Sequence, residues 1–263
     1  MEFLTQLIKK TIKIIFSLMG VKIVPHDALL KIESSNQAQS VIDLNFFRSV
    51  VSNHFSEAIN ILPFSYSQLR QDIYVLTKTN FKADGFFVEF GACDGIELSN
   101  THLLEKKFNW TGILAEPARS WLGDLVKNRD CIIINKCVWK ESNKEVLFNE
   151  VGELSTISRF RNKDMHADLR KIHKEYSVTT ISLNDLLIQN CAPSFIDYLS
   201  IDTEGSEFDI LSTVDFNKFS FGIITVEHNF SANREKIYRL LTENGYRREF
   251  EVISNFDDWY VKI

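Results

Sequence analysis

The chain has 263 residues, enough for one α/β domain with a smaller addition and too few for two large ones. Its 44% hydrophobic and 25% charged residues are ordinary for a soluble globular protein with a sizeable core. The net charge of -5 argues against nucleic acid as a partner, because a phosphate backbone selects a basic surface.

The first 20 residues, MEFLTQLIKKTIKIIFSLMG, place Lys9, Lys10 and Lys13 among apolar residues. A signal peptide puts its charges first, so an amphipathic helix fits better. The run is too short for a membrane span. Such a helix docks on its own domain or lies on a membrane surface, where basic residues meet anionic lipids. The four cysteines, Cys93, Cys131, Cys137 and Cys191, form neither a disulfide framework nor a zinc pattern. Reduced thiols are expected, and with them a cytoplasmic location, with residues 1–20 as the candidate for peripheral membrane contact.

Residues 1–62 read as a helical N-terminal extension, with Pro63 as the boundary to a main domain over 63–263. From there short apolar runs alternate with helical segments. Strands are predicted at Gly85–Phe90, Gly112–Glu116, Cys131–Asn135, Asp197–Asp202 and Gly222–Glu227. Helices are predicted at Ser99–Phe108, Arg119–Asn128, Ser206–Val214 and Ala232–Asn244. This alternation implies βαβ units and a parallel sheet covered on both faces. Glu145–Phe148 and Val178–Ser182 suggest an extra strand pair around a polar stretch, Glu153 to Lys174. A stretch that long suits a lid or a substrate-binding element, and the segment 140–180 is expected to line the pocket of the reacting partner. Its basic residues, Arg159, Arg161, Lys163, Arg170, Lys171 and Lys174, read as a solvated face or as a patch for an anionic substrate. Tyr246–Ile253 and Trp259–Ile263 read as two final strands.

Ligands of an open parallel sheet bind at the carboxyl ends of its strands. The first strand ends in Glu89, then Gly91-Ala92-Cys93-Asp94-Gly95, then Ser99-Asn100-Thr101 at a helix start. Gly91 and Gly95 permit a tight turn and close approach of backbone to a ligand. The dinucleotide fingerprint GxGxxG is absent, and Glu89 and Asp94 would repel a pyrophosphate. S-adenosylmethionine has no phosphate and two cationic centres, so these acids suit it. Glu116, at the second strand's end, stands where an acid accepts ribose hydroxyls. Asn135, at the third, is a candidate for the adenine.

The fourth strand ends in Asp202-Thr203-Glu204-Gly205-Ser206-Glu207, and the fifth in Glu227-His228-Asn229. Asp202, Glu227 and His228 form a candidate set for a divalent cation such as magnesium. The other reading gives His228 a proton from a substrate hydroxyl, and a hydrogen-bonded polar cluster without metal is the third.

These stretches together carry a resemblance. Ser67-Gln68-Leu69-Arg70-Gln71-Asp72, FFVEFGACDGIELSNT, GILAEP, Asn128-Arg129 and Glu153-Leu154-Ser155-Thr156-Ile157 make up the first half of it. SLNDLL, IDYLSIDTEGSEFDIL, ITVEHN and DDWYV follow. In this order the chain resembles the FkbM family of methyltransferases, outside its first 60 residues. The resemblance implies a Rossmann-like seven-stranded methyltransferase sheet with helices on both faces. It also implies methyl transfer from S-adenosylmethionine, usually to an oxygen, in a family associated with surface glycans and natural products. The family's cofactor turn falls on Glu89, Gly91, Asp94 and Gly95, its ribose acid on Glu116, and its helix start on Ser99, Asn100 and Thr101.

The expected reaction is an in-line displacement onto a hydroxyl of a small-molecule or glycan acceptor. His228 or Glu204 would act as base, with Asp202 beside them. The rival from another class is an idle scaffold that keeps the fold to bind a partner in surface-glycan assembly.

Overall fold

The computed structural model describes residues 26–50, 54–162 and 167–263. The helix expected over residues 1–20, and Lys163 and His166 of the long polar stretch, lie outside them. Among the described residues no helix is long and apolar enough to cross a membrane.

The chain divides into two compact units, with the boundary between Asn45 and Phe46. Helix α1 (His26–Ser49) runs unbroken through the polar stretch Glu33–Gln37. After α1 come α2 (Phe55–Ile61), a 3-10 turn (Leu62–Phe64) and α3 (Gln71–Lys78). Then come β1 (Phe86–Phe90), α4 (His102–Phe108), β2 (Thr111–Ala115), α5 (Arg119–Asn128) and β3 (Ile132–Ile134). An insert follows, made of β4 (Cys137–Val138), β5 (Glu145–Glu150), β6 (Thr156–Ile157) and β7 (Lys174–Ile181). The alternation resumes with α6 (Leu183–Gln189), β8 (Phe195–Ile201), α7 (Glu207–Leu211), β9 (Ser220–Glu227) and α8 (Asn233–Glu243). The chain closes with β10 (Tyr246–Glu249) and β11 (Asp257–Lys262).

The main sheet has the seven expected strands, in the order β3-β2-β1-β8-β9-β11-β10. All neighbours from β3 to β9 are parallel, and β11 runs antiparallel to β9 and β10. The central strands are buried almost end to end, which is why they read as continuous apolar runs rather than alternating ones. Val88, Ile113, Leu199 and Ile224 of the sheet share one core with Leu186 of α6, Ile210 of α7 and Ile237 of α8. Burying such a side chain contributes ~1.5–3 kcal/mol, so this seam supplies much of the driving force. Between β1 and β8 the chain order reverses. There the loops leave in opposite directions and open a crevice at the strands' carboxyl ends.

The insert forms its own small sheet, ordered β4-β7-β5-β6. The expected strand pair is present, antiparallel from Glu145 opposite Thr179 to Glu150 opposite Lys174. Ser182 is not in it, since its hydroxyl caps α6 by accepting from the Asp185 N–H at 3.1 Å. Trp139, Phe148, Ile157, Phe160 and Val178 give the insert a separate apolar core. At the end of the chain, β10 stops at Glu249 rather than Ile253. Phe250 lies in the left-handed region at φ 54, which ends the strand.

Candidate functional site

The turn after β1 is shaped by contact with β8. Gly91 has φ +75, and a Cβ there would stand 2.1 Å from the Asp202 carbonyl oxygen. Only glycine permits both. Gly95 has φ +82, and a Cβ there would meet the Arg129 side chain at 2.6 Å. Gly95 therefore serves the packing of Arg129 rather than a ligand, and it does not line the crevice.

Glu89 is buried, and its carboxylate accepts from Ser99 Oγ at 3.1 Å, Asn100 N at 2.7 Å and Thr101 Oγ1 at 2.5 Å. These bonds consume residues 99–101, and α4 starts at His102 instead of Ser99. Arg129, with no exposed side chain, lies 3.7 Å from Glu89 and 2.8 Å from Glu105. It also donates to Gly95 O, Ser99 Oγ and Thr101 Oγ1. This buried cation fixes the whole turn. The pair Asn128-Arg129 is conspicuous in the sequence, but nothing local assigns it a partner forty residues away.

Two residues expected at the cofactor also brace the backbone. Asp94 Oδ1 accepts from the N–H groups of Ile96 and Glu97 at 2.8 and 2.9 Å, so its side chain closes its own turn. Asn135 Nδ2 donates to Glu116 O at 2.7 Å. Neither residue, nor Ser99, is on the wall of the crevice.

The wall does contain Glu89, Gly91, Asn100 and Glu116 of the predicted set, with Asp202 and Glu204 opposite. The crevice measures about 810 Å³ and is bounded on its far side by the insert through Phe148, Gly152, Glu153, Ser155 and Ile157. The insert residues lie in the segment 140–180 expected to line a pocket, whereas Ser200, Thr203 and Ser206 carry no sequence signal for the crevice wall. Their placement depends on a sheet whose pairing no local pattern fixes. Six carboxylates line the crevice, from Glu89, Glu97, Glu116, Glu153, Asp202 and Glu204, with no Lys, Arg or His among its described walls.

Glu116 sits deep in it at 4% exposure. Its two oxygens accept from the N–H groups of Cys93 and Ala118, at 2.9 and 2.7 Å. Burial outweighs those bonds and pushes its carboxyl up to about 7. Burial likewise raises the Cys93 thiol, which stays protonated. Asn100 Nδ2 donates to Ser200 Oγ at 3.0 Å, while its Oδ1 is buried without a hydrogen-bond partner among the described residues.

At the ends of β8 and β9, Asp202, Glu204 and Glu227 bring carboxyl oxygens within 4.8 Å of one another. Burial raises Asp202 to about 6, and burial together with the Asp202 charge pushes Glu227 well above the carboxylate range. Glu204 differs from both. Its Oε2 takes a bond of 2.6 Å from Arg170 Nη2 and one of 3.2 Å from Asn229 Nδ2. Arg170 is 1% exposed and also donates to Leu154 O at 2.7 Å. It is thus no part of a solvated or substrate-facing basic patch, contrary to the expectation for that run.

His228 stands apart from the three acids. Its Nδ1 accepts from the Phe230 N–H at 3.0 Å, and its Nε2 lies 3.8 Å from Asp258. Burial lowers its pKa, so the ring is neutral with its proton on Nε2. The Nδ1 lone pair is thus already occupied, while Nε2 is buried without a hydrogen-bond partner among the described residues. The expected cation set of Asp202, Glu227 and His228 does not converge. The group that does converge already holds a guanidinium, so the residues present do not fit the predicted metal centre.

No curated protein matches the sequence. Among solved structures, the methyltransferase FkbM of Methylobacillus flagellatus KT is 11% identical with TM-score 0.42, over 81% of this chain and 62% of that one. The precorrin-6y C5,15-methyltransferase of Geobacter metallireducens GS-15 is 13% identical with TM-score 0.37, over 68% and 72%. The ribosomal protein L11 methylase of Lactobacillus delbrueckii subsp. bulgaricus is 10% identical with TM-score 0.37, over 77% and 83%. The model of the methyltransferase FkbM domain matches residues 89–248, from the acid that ends β1 to the last strand pair, and the chain belongs to that family of methyltransferases.

Proposed function

We propose that the protein is an S-adenosylmethionine-dependent O-methyltransferase acting on a hydroxyl of a sugar or glycan-type acceptor. The observation that carries this is the crevice at the switch point, lined by six acidic side chains with no cation among its described lining residues. Such a wall disfavours phosphorylated cofactors and favours a ligand with an ammonium and a sulfonium. The residues fit that group. Glu116 retains lone pairs for two ribose hydroxyls, the Asn100 Oδ1 without a partner suits an ammonium, and the Gly91 turn leaves room for close approach. When bound, the cofactor supplies a methyl group on a positively charged sulfur.

The remaining work falls to the chain. Asp202 lines the crevice, and its carboxyl, raised to about 6, is ionised near neutral pH yet basic enough to take a hydroxyl proton. Glu204, held by Arg170, keeps the loop after β8 in place. The acceptor's class rests on the family resemblance to enzymes of surface glycans.

Calorimetry with S-adenosylhomocysteine tests the cofactor. Wild type should bind, and Glu116→Gln should lose about tenfold or more in affinity, the equivalent of ~1.4 kcal/mol. Asp202→Asn should bind as wild type does but lose transfer by ~10²–10⁴-fold with labelled cofactor and an acceptor extract. A wild-type protein that shows no heat of binding would sink the proposal.

A further inference from the structure

A second cleft lies on the other side of the loop after β8. It measures about 610 Å³ and is bounded by Gly205 and Glu207, by Glu227 and His228 at the end of β9, and by Ser231 to Asn233 at the start of α8. The loop is a shared wall. Thr203, Glu204 and Ser206 face the first crevice, and Gly205 and Glu207 face the second. Gly205 has φ +118, a conformation that lets the loop alternate in this way. Glu207 Oε1 fixes it by accepting from the N–H groups of Thr203 and Gly205, at 3.2 and 2.8 Å. The two spaces meet at the acids, because Asp202 of the first and Glu227 of the second have carboxyl oxygens within 4.8 Å.

We infer that this second cleft is the acceptor's binding site, and that it selects a neutral polyhydroxyl compound. The inference rests on the methyl-transfer reading above. A molecule seated here reaches Glu227, whose carboxyl oxygen lies within 4.8 Å of that of Asp202, the group assigned to take its proton. The lining decides the class. Glu207 and Glu227 offer acceptors to hydroxyl groups, Asn229 and Asn233 offer amides, and Ser231 offers a hydroxyl. No Lys or Arg is among the described lining residues, so a phosphate or carboxylate on the acceptor would find no side-chain cation on this wall. Three cations of the insert already face acids of the chain itself. Arg170 is committed to Glu204, Lys171 to Asp168 at 2.8 Å, and Arg161 lies 3.7 Å from Glu175. Among the described lining residues the only ring is His228, which offers an aromatic acceptor little stacking face.

The test plugs the cleft from its rim. Ala232→Trp and Ser231→Trp add bulk at the start of α8 and touch none of the residues assigned to cofactor or base. Saturation-transfer NMR is run with the methyl glycosides of glucose, galactose and mannose, and with glucose 6-phosphate, at saturating S-adenosylhomocysteine. Wild type should bind at least one neutral glycoside and not the phosphate. Both variants should lose that signal about tenfold, while their calorimetric affinity for S-adenosylhomocysteine changes less than about twofold, which also shows that they are folded. Equal glycoside signals in plugged and wild-type protein would overturn the site. A preference for the phosphate, or no binding of any neutral glycoside, would overturn the class. A wild-type protein that binds glycosides in a plug-sensitive way but fails to bind S-adenosylhomocysteine would leave this cleft standing and refute the methyl-transfer reading.

Discussion

At the end of β1 every buried charge is matched. Glu89 accepts three hydrogen bonds, and Arg129 spans Glu89 and Glu105 while donating to three more oxygens. At the ends of β8 and β9 three carboxyls crowd together with a single guanidinium on one of them. The first region is built to hold its shape. The second keeps acids near the pH at which they exchange protons, the condition a base needs. Shape and chemistry are thus assigned to opposite lips of one crevice.

The comparison breaks most readily at Arg129. Arg129→Met should cost ~3–5 kcal/mol in urea unfolding, since it strands Glu89 and Glu105 in the interior. A loss under about 1 kcal/mol would mean the turn is not held by charge pairing. Gly91→Ala should follow at roughly 3 kcal/mol, from left-handed backbone strain and the clash with Asp202 O. Here the check is a melting curve together with loss of S-adenosylhomocysteine binding.

The other lip is sharpened by pH. Burial raises Asp72 and Asp202 to about 6, and Glu116, Glu207 and Asp257 to about 7. A raised carboxyl binds its proton more tightly folded than unfolded. Its contribution is therefore full below the unfolded value and is lost as pH rises through the folded one. Glu105, lowered to about 2 mainly by Arg129 against the push of burial, loses its contribution only below its ordinary 4.5. Between about pH 5 and 7.5 the raised group decides, and the melting temperature measured without cofactor should climb by roughly 5 °C on acidification across that range. A flat profile would show that these acids are not destabilised in the fold. The smallest effect belongs to Asp94→Ala. As a turn brace it should cost about 1 kcal/mol, with S-adenosylhomocysteine affinity changed less than about threefold.

The sheet was legible because doubly buried parallel strands write themselves as apolar runs. FFVEF, GILA and GIITVE each fall within a residue or two of an observed strand. The functional strand ends were legible for the same reason, which brought Gly91, Asn100, Glu116 and Asp202 to the crevice. Direction of the side chains was not. Glu89, on the crevice wall, also binds Ser99, Asn100 and Thr101, and Asp94 closes its own turn. Both depend on which hydrogen bonds the backbone offers, and composition does not encode that. Arg170 was the hardest to read. One basic residue among six looks solvated until the insert folds and carries it onto Glu204. His228 misled because adjacency in sequence to Glu227 does not place its lone pair beside that carboxyl.

The bond between Arg170 and Glu204 also constrains how such enzymes diversify. The insert joins the loop after β8 through this ion pair and through Thr156 Oγ1, which donates to Glu204 O at 2.8 Å. Exchanging the segment between β5 and β7 for that of a relative therefore swaps an electrostatic anchor along with a wall of the first crevice. A chimera lacking a cation in Arg170's place inherits a stranded acid beside Asp202, whereas one that retains the cation keeps the socket into which new walls can be fitted.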